Sequence, residues 1–585
     1  MEKKHFIKEK FFFFLLLGFT LNSHSRSPSS NHLNPQNTHA SEMLNKLEEK
    51  TLAEEVIKKI KEELPDMLTQ ASIPGAAVAV VDDWNVVWEK AYGNVDTANA
   101  RPVDMNTIFS IQSMSKSFTA LAVLMAVQDG MVELDTPIKE YLPDFTVNSL
   151  YDKNPEKIIT LRHLLSQWSG LTHEAPFGSN QDDRYDFTKH IESISSTWLR
   201  YPVGYRYSYS NLGIDLAGYI LQVRSGKPFA EYVKEKVLDA IGMSNSHYDM
   251  AVIKQANNRA IGHANNRIPP LRIPMIPAGG LYTNINDMVK YLQFHMNKGV
   301  LKGQRILRAD LMEQMHTIQF ARSRQRFGYC LGLIRCPVSD SYCIYHAGGG
   351  YGFSSIMVMF PKKKIGIVLL TNSENESAIW NLLNMVIECV SEKCGDAPVE
   401  EPGIERMVKL DPKNPRVQAV IGRYGDDFAY IIEMRNDTLV LRMTPQNNSY
   451  PLTFYDDDGE LVGLFGNFSE VRFLPPYHGR RGSVMRIDRR LSDSNFNIKD
   501  FNDSPTDPPG PDKPHWSEYV GDYEHLINGK PNGIFHVTIR NGYLYVAECK
   551  CTEHTRGLFF TYDVLPIDFT SDPPTASYTC IRKKE

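Results

Sequence analysis

Residues 108–116 have the sequence Ile-Phe-Ser-Ile-Gln-Ser-Met-Ser-Lys and lead into the apolar run Phe118–Val127, which predicts a buried helix. Ser113 and Lys116 stand at positions i and i+3, which share one face of a helix. A serine hydroxyl needs a neighbouring base to act as a nucleophile, and a buried lysine can lose its proton because desolvation penalises the ammonium. The stretch therefore predicts Ser113 as a nucleophile and Lys116 as its partner. An ordinary helix start with a solvated lysine is the alternative, and Ser110 is a weaker rival because no lysine follows it at i+3.

Two further motifs lie downstream in the chain. Tyr209-Ser210-Asn211 directly precedes the apolar segment Ile214–Val223, so a phenol and an amide at a helix start can point into one groove. An N-cap would account for the same residues, since Ser and Asn satisfy free N–H groups there. His346-Ala347-Gly348-Gly349-Gly350 ends a predicted strand, where glycines allow a substrate backbone to approach; a plain turn is the alternative.

In this order, the three motifs resemble those of the serine β-lactamase-related family. That family includes class C β-lactamases, penicillin-binding DD-peptidases, D-aminopeptidase-like enzymes and esterases. Ile159–Leu165, Ser169–Leu171 and Pro277–Leu281 are also similar to family segments, so the resemblance covers roughly residues 50 to 390. The C-terminal part is similar to the lipocalin-like accessory domains of some members.

The resemblance implies a hydrolase in which Ser113 forms a covalent acyl-enzyme that water then releases. Lys116 and Tyr209 would share proton transfer, with the identity of the base left open, and Asn211 would hold Lys116 and the substrate amide. The oxyanion hole would be formed by the backbone N–H groups of Ser113 and Gly349, beside Gly348. No cofactor or metal is implied, and the partner is a small-molecule or peptide substrate.

One departure from the family concerns substrate choice. Many β-lactamases carry Lys-Thr-Gly where this chain has His346-Ala-Gly, and a neutral imidazole attracts a carboxylate less than an ammonium does. We therefore expect an ester, an amide or a small peptide as substrate rather than a β-lactam. The alternative is a secreted extracellular-matrix or binding protein that keeps the fold with little or no catalysis, as some molluscan shell-matrix proteins do. A zinc hydrolase is disfavoured because the paired histidine and carboxylate spacing is absent.

The order of predicted elements indicates a two-lobed α/β architecture, and the resemblance implies the same architecture, that of the β-lactamase/transpeptidase fold. Strands occur early, at Gly75–Gly93, and late, at Phe327–Ile334, Tyr342–His346, Ser354–Phe360 and Lys364–Leu370, with helices between. We expect one antiparallel sheet with flanking helices plus a helical lobe over residues 43–394. Residues 395–415 are predicted as a linker, and 416–503 and 515–585 as two all-β, lipocalin-like modules.

The N-terminus predicts export. Lysines precede the apolar run Phe11–Phe19, and a polar stretch follows, so residues 1–25 are expected to be a cleaved secretory signal and residues 26–42 a disordered linker. An uncleaved anchor is the alternative, but the run is short for a membrane span. The expected location is extracellular, with no stable membrane span after cleavage. The net charge of −5 gives no indication of nucleic-acid binding. The oligomeric state is left open.

Cysteines and glycan acceptors agree with an oxidising compartment. The chain has eight cysteines, of which Cys336 and Cys343 flank a short polar loop and could staple a hairpin. A metal site around Cys549, Cys551 and His554 is the weaker interpretation because no second ligand pair has zinc-site spacing. Asn-x-Ser/Thr sequons, which are candidate glycosylation sites, occur at Asn375, Asn436, Asn447, Asn467 and Asn502.

Overall fold

The computed structural model describes residues 38–98, 101–173, 175–178, 186–264, 275–321, 326–339, 341–394 and, with further short gaps, 407–498 and 513–583. The predicted signal, residues 1–25, lies outside this set. The predicted disordered linker extends too far, because the first helix, Thr38–Gln70, already begins within it. No helix among the described residues combines the length and apolar character needed to cross a bilayer.

An antiparallel sheet joins the two ends of the predicted hydrolase domain. Gly75–Asp82 pairs with Ile365–Thr371, with Ala76 opposite Thr371, as the early and late positions of the strands predict. Among the described residues this central sheet has seven strands, which in spatial order are Asn85–Gly93, Gly75–Asp82, Ile365–Thr371, Phe353–Phe360, Ser341–Gly350, Ile334–Val338 and Gly328–Tyr329. The predicted strand Phe327–Ile334 is therefore two strands. Between them Gly332 has a φ of +69°, a value that favours glycine and turns the chain.

Helices cover both faces of the central sheet. On one face, residues from 52 to 70 of the first helix and the helix Ser377–Cys394 pack against the sheet through Val56, Ile60, Ile379 and Leu382. On the other face, Ala79 and Val368 belong to the larger core that the helical lobe shares. Because successive side chains of a strand point to opposite faces, burial on both sides explains why Gly75–Asp82 and Ile365–Thr371 are almost entirely apolar.

The helical lobe lies between the early and late strands in sequence. Its central helix, Ser115–Gln128, is buried over nearly its whole length. The other helices of the lobe are Leu161–Leu165, Phe187–Ile194, Asn211–Ser225, Phe229–Val233, Lys234–Leu238, Asp239–Ile241, Met250–Gln255, Ile276–Gly279, Ile285–Met296 and Ala309–His316. Short helical turns occur at Gln112–Met114, Ile138–Glu140 and Pro155–Lys157, and two-residue strands pair Phe109–Ser110 with Tyr282–Thr283 and Val300–Leu301 with Gln304–Arg305.

The C-terminal region is all-β, as predicted. Its first module is an antiparallel sheet of Val408–Lys409, Gly422–Tyr424, Tyr430–Arg435, Thr438–Met443, Asn448–Asp457, Glu460–Phe465, Ser469–Leu474, Val484–Arg489 and Ser492–Ile498. Its second module follows the short helical turn Pro514–Glu518 and is a closed barrel of Gly521–Ile527, Lys530–Arg540, Tyr543–Val546, Cys549–Thr555, Leu558–Thr561, Pro566–Asp568, Thr575–Ala576 and Thr579–Lys583. The lipocalin-like similarity of the modules stays a prediction.

The first β module begins earlier than the sequence indicates. Val408–Lys409, inside the predicted linker, pairs with Asn448–Asp457, and Asn414 caps the short helix Pro415–Gln418. Pro415, one of the prolines that predict a linker here, is instead the first residue of this helix. Leu410 packs against the apolar core that contains Val417, so the end of the predicted linker belongs to this module.

The predicted disulfide bond between Cys336 and Cys343 is not formed. The two residues lie directly opposite each other in the hairpin, but both are free thiols, as is the nearby Cys330. Burial raises the pKa of the Cys343 thiol, and a neutral thiol is the unreactive form. Among the described residues, no group of three His, Cys, Asp or Glu side chains is arranged to hold a metal ion.

Two of the sequons lie within the described residues, whereas Asn447, Asn467 and Asn502 lie outside them. Asn436 is in the left-handed region in the turn between Tyr430–Arg435 and Thr438–Met443. Asn375 precedes the helix Ser377–Cys394, and its Nδ2 donates to the carbonyl of Ala71 at 3.0 Å. The nitrogen that a glycan would modify on Asn375 is therefore already hydrogen-bonded.

Gly218 tests how tightly the lobe is packed. In a helix interior, Gly→Ala ordinarily stabilises by about 1 kcal/mol. A Cβ on Gly218, however, would lie 2.6 Å from Pro277 Cβ. We expect Gly218→Ala to lower the free energy of unfolding by about 1–3 kcal/mol because the site is overpacked. Gly213→Ala on the same helix meets nothing closer than 3.4 Å and is the matched control. Equal denaturation midpoints for the two variants in urea would contradict the packing argument.

Candidate active site

Ser113 lies in a tight turn at the start of the central helix. The turn Gln112–Met114 runs directly into the helix Ser115–Gln128, and Gln112 has a φ of +48°, which is uncommon for a residue other than glycine. The Gln112 Nε2 atom donates to Ser110 Oγ at 2.7 Å, which ties the rival serine into a buried contact. The turn leaves Ser113 partly exposed while its neighbours Gln112 and Met114 are buried.

The Lys116 amine meets the Ser113 hydroxyl. Lys116 Nζ lies 2.9 Å from Ser113 Oγ, and it donates at the same distance to the carbonyl of Ala278. Lys116 is fully buried, and burial lowers the pKa of its amine to about 7, while the carboxylate of Asp215 acts in the opposite direction. An amine with this pKa exchanges a proton readily near neutral pH.

The backbone segment that receives Lys116 is anchored to the central helix. Thr119 Oγ1 donates to the carbonyl of Pro277 at 2.7 Å, and the backbone N–H of Leu281 donates to Ser115 Oγ at 3.1 Å. Both contacts are buried. These contacts therefore hold the segment Pro277–Leu281, and with it the Ala278 carbonyl that accepts from the Lys116 amine, in place.

Tyr209, from the second motif, lies beside Lys116, and Asn211 begins the helix that follows it. The Lys116 Nζ atom lies 5.0 Å from the centre of the Tyr209 ring, and this ring stacks on His173. Ser210 caps the helix Asn211–Ser225, with its Oγ accepting from the N–H of Gly213. The N-cap, which was the alternative interpretation of this motif, is thus present at Ser210, and Tyr209 lies near Lys116 as well. Asn211 is buried in the first turn, where its backbone N–H donates to the carbonyl of His173.

The third motif lies along the turn that carries Ser113. A Cβ on Gly348 would collide with the carbonyl of Ile111 and would lie 2.9 Å from the backbone nitrogen of Ser113, so only glycine fits. Ser355, opposite Gly348 in the next strand, donates from Oγ to the same Ile111 carbonyl at 2.9 Å. Gly349 follows at the strand end, where a Cβ would collide with the Glu376 carboxylate. Backbone of the Ser341–Gly350 strand therefore lies close to the backbone nitrogen of Ser113.

His346 is buried and electrically neutral. Tyr329 Oη lies 2.8 Å from His346 Nε2, and His346 Nδ1 lies 2.6 Å from the carbonyl of Ala347. Because a carbonyl only accepts, Nδ1 carries the proton and Nε2 accepts from Tyr329. Burial, together with the nearby Lys116 charge, lowers the pKa of His346 to about 3. The ring therefore supplies no positive charge at neutral pH.

Three contributors to this site are absent from the sequence-based prediction. They are the Ala278 carbonyl, the Tyr329 hydroxyl and the buried pair of Asp215 with His190. Asp215 stands at i+4 from Asn211, so helical spacing places it on the same face as that motif residue. This spacing is the one signal in the sequence that could have indicated a site residue at Asp215.

Known proteins resemble the chain in sequence. A family model described as Beta-lactamase matches residues 47–390. Protein flp of Staphylococcus aureus (strain N315) is 27% identical over 323 residues, covering 53% of this chain and 61% of that protein. Beta-lactamase-like protein 2 of Dictyostelium discoideum is 30% identical over 252 residues, covering 41% of this chain and 46% of that protein. The match thus spans less than two thirds of either relative.

Solved structures share the fold. The octameric penicillin-binding protein homologue from Pyrococcus abyssi aligns with a TM-score of 0.50 and 22% identity, over 76% of this chain and 100% of that one. SurE aligns with a TM-score of 0.51 and 21% identity, over 76% and 99%. The family match over more than half of the sequence, together with the fold and the three motifs gathered at Ser113, shows that the chain belongs to the beta-lactamase family.

Proposed function

We propose that this chain is a serine hydrolase that forms a covalent acyl-enzyme on Ser113 and acts on an ester, an amide or a small peptide. The observation that carries the proposal is the 2.9 Å contact between Ser113 Oγ and the fully buried amine of Lys116. Membership of the beta-lactamase family supports a serine hydrolase kind of function. The charges around Ser113 support this substrate class.

The proposed reaction begins with proton transfer from the Ser113 hydroxyl. Neutral Lys116 takes the proton, directly or with Tyr209 in the same cluster, while Ser113 Oγ attacks the acyl carbon. The negative charge that develops on the acyl oxygen faces the N–H groups of Ser113 and Gly349. The leaving group receives the proton, and water then attacks the acyl-enzyme by the same route in reverse, returning the Ser113 hydroxyl and releasing the acid.

The charge of the pocket favours an uncharged acyl substrate. Lys116 is held by Ser113 and Ala278, and the neighbouring His346 is neutral, so the strand offers no ammonium to a substrate carboxylate. The rings of Tyr207, Tyr209 and Tyr329 adjoin one another at this site, with 5.7 Å between the first and last ring centres. Aromatic rings and a neutral imidazole suit an apolar or neutral acyl group better than the carboxylate of a β-lactam.

Labelling by a fluorophosphonate probe tests the nucleophile. We expect the wild-type protein to form a stable adduct whose mass is found on the peptide containing Ser113, because the probe reacts with activated serine hydroxyls. Ser113→Ala removes the attacking oxygen and should abolish labelling, whereas Ser110→Ala, which removes the rival serine, should leave it. An unlabelled native wild-type protein would contradict the hydrolase proposal and favour the non-catalytic binding role.

The pH dependence of labelling tests the base. Lys116 must be neutral to accept the proton, so the inactivation rate should rise with pH and reach half of its maximum near pH 7, the pKa of this amine. Lys116→Ala should lower the maximal rate, reached above pH 7, by about 10²- to 10⁴-fold without unfolding the protein, and the difference from wild type should shrink at low pH, where Lys116 is protonated. Circular dichroism checks folding. Equal rates for wild type and Lys116→Ala would remove Lys116 from the mechanism.

Exchange of His346 tests the substrate class. In His346→Lys an ammonium replaces the neutral ring, so the ratio of kcat/KM for a cephalosporin to kcat/KM for a p-nitrophenyl ester should rise about 10-fold, or about 1.4 kcal/mol. His346→Gln adds no charge but can still accept the hydrogen bond from Tyr329, and it should leave the ratio unchanged. A lysine variant with the wild-type ratio would show that charge at this position does not select the substrate.

A further inference from the structure

A chain of buried hydrogen bonds runs from Lys116 into the helical lobe. Beyond the Ala278 carbonyl that receives Lys116 Nζ, the backbone N–H of Ala278 donates to Asp215 Oδ1 at 2.9 Å. Asp215 Oδ2 lies 3.0 Å from His190 Nε2, and His190 Nδ1 lies 2.7 Å from the carbonyl of Phe177. The side chains of Asp215 and His190 are both completely buried.

The hydrogen bonds determine the charge of the pair. Both ring nitrogens of His190 face acceptors, a carboxylate and a backbone carbonyl. One proton on Nδ1 and one between Nε2 and Asp215 satisfy both contacts, so the pair is neutral as a whole, and in its ion-pair form an imidazolium faces the carboxylate. Buried ions persist only when they are paired and hydrogen-bonded, and here each oxygen of Asp215 has a donor.

We infer that Asp215 and His190 are positioning residues for the Ser113–Lys116 pair, with Asp215 clamping Ala278 so that its carbonyl holds the Lys116 amine against Ser113. The inference rests on the proposed function and deepens it. Asp215 lies on the helix Asn211–Ser225, His190 on Phe187–Ile194 and Ala278 in Ile276–Gly279, so three elements of the lobe meet behind the lysine.

The pair also acts on the charge of Lys116. Asp215 is the acidic group that raises the pKa of this amine against the effect of burial. Among the described residues, Tyr209, from the loop before the helix Asn211–Ser225, and the neutral His346, from the Ser341–Gly350 strand, are further titratable groups near Lys116. A change at Asp215 or His190 should therefore move the pH at which Lys116 becomes a base, which a merely structural role would not do.

Two opposed variants of the full chain separate these effects, with fluorophosphonate inactivation rates measured from pH 5 to 9. Asp215→Asn keeps the acceptor for the Ala278 N–H and can donate to a neutral His190 ring. It removes the negative charge, so the midpoint of the pH profile should move to lower pH with a maximal rate within about 10-fold of wild type. His190→Gln keeps a donor to Asp215 but removes the positive charge. The unbalanced carboxylate then favours the ammonium of Lys116, and the midpoint should move to higher pH.

Asp215→Ala releases the Ala278 N–H and should lower the maximal rate by about 10²-fold through misplacement of Lys116.

Asp287 offers a matched control, because it is as deeply buried and accepts from the N–H of Asn245 and from Ser246 Oγ. Asp287→Asn should leave the midpoint of the pH profile in place. Unchanged midpoints in Asp215→Asn and His190→Gln, with wild type labelled at Ser113, would overturn the positioning role and leave the hydrolase proposal standing. Absence of wild-type labelling would instead overturn the hydrolase proposal itself. If Asp215→Ala does not fold, the two conservative variants still decide the question.

Discussion

The arrangement of this protein depends on the burial of one amine, that of Lys116. An ammonium in a low-dielectric interior is costly, and here the cost is met by lowering the pKa of the amine to about 7 and by giving Nζ two oxygen contacts. The central helix, the Pro277–Leu281 segment and the Asp215–His190 pair are arranged around that atom. Burial makes Lys116 a candidate base, and it also requires several segments that are distant in sequence to pack around the same atom.

Close backbone approach is the second constraint. Gly348 allows a strand to contact the Ser113 turn, and Gly218 leaves space for Pro277. At Gly332, an added Cβ would lie 2.7 Å from the carbonyl oxygen of Lys116. In each place a side chain would separate two elements that must be in contact for the site to exist. These three glycines thus allow the close backbone packing around the site, even where they contact no substrate.

Local patterns predicted much of the fold and part of the site. The i, i+3 spacing of Ser113 and Lys116 lies within one helical turn, so elementary helix geometry brings them together, and the apolar runs located the strands of the central sheet. Asp215 and His190 could not be paired in this way, because their contact depends on how two separate helices pack. The Tyr329–His346 hydrogen bond likewise joins two separate strands, and the strand predicted around Tyr329, Phe327–Ile334, is two strands in the structure. Cys336 and Cys343 were placed correctly as neighbours, but proximity does not determine whether two thiols oxidise.

The pairing of Gly75–Asp82 with Ile365–Thr371 has a consequence for biosynthesis. The turn that carries Ser113 is translated long before the strand that contributes Gly348 and Gly349. The central sheet can form only after residue 371 has left the ribosome. A nascent chain would thus carry Ser113 and Lys116 without the backbone that faces them. Such late closure is expected to slow folding, since contacts between distant residues require large loops to close first. The proposed site is therefore incomplete until the whole domain has been translated.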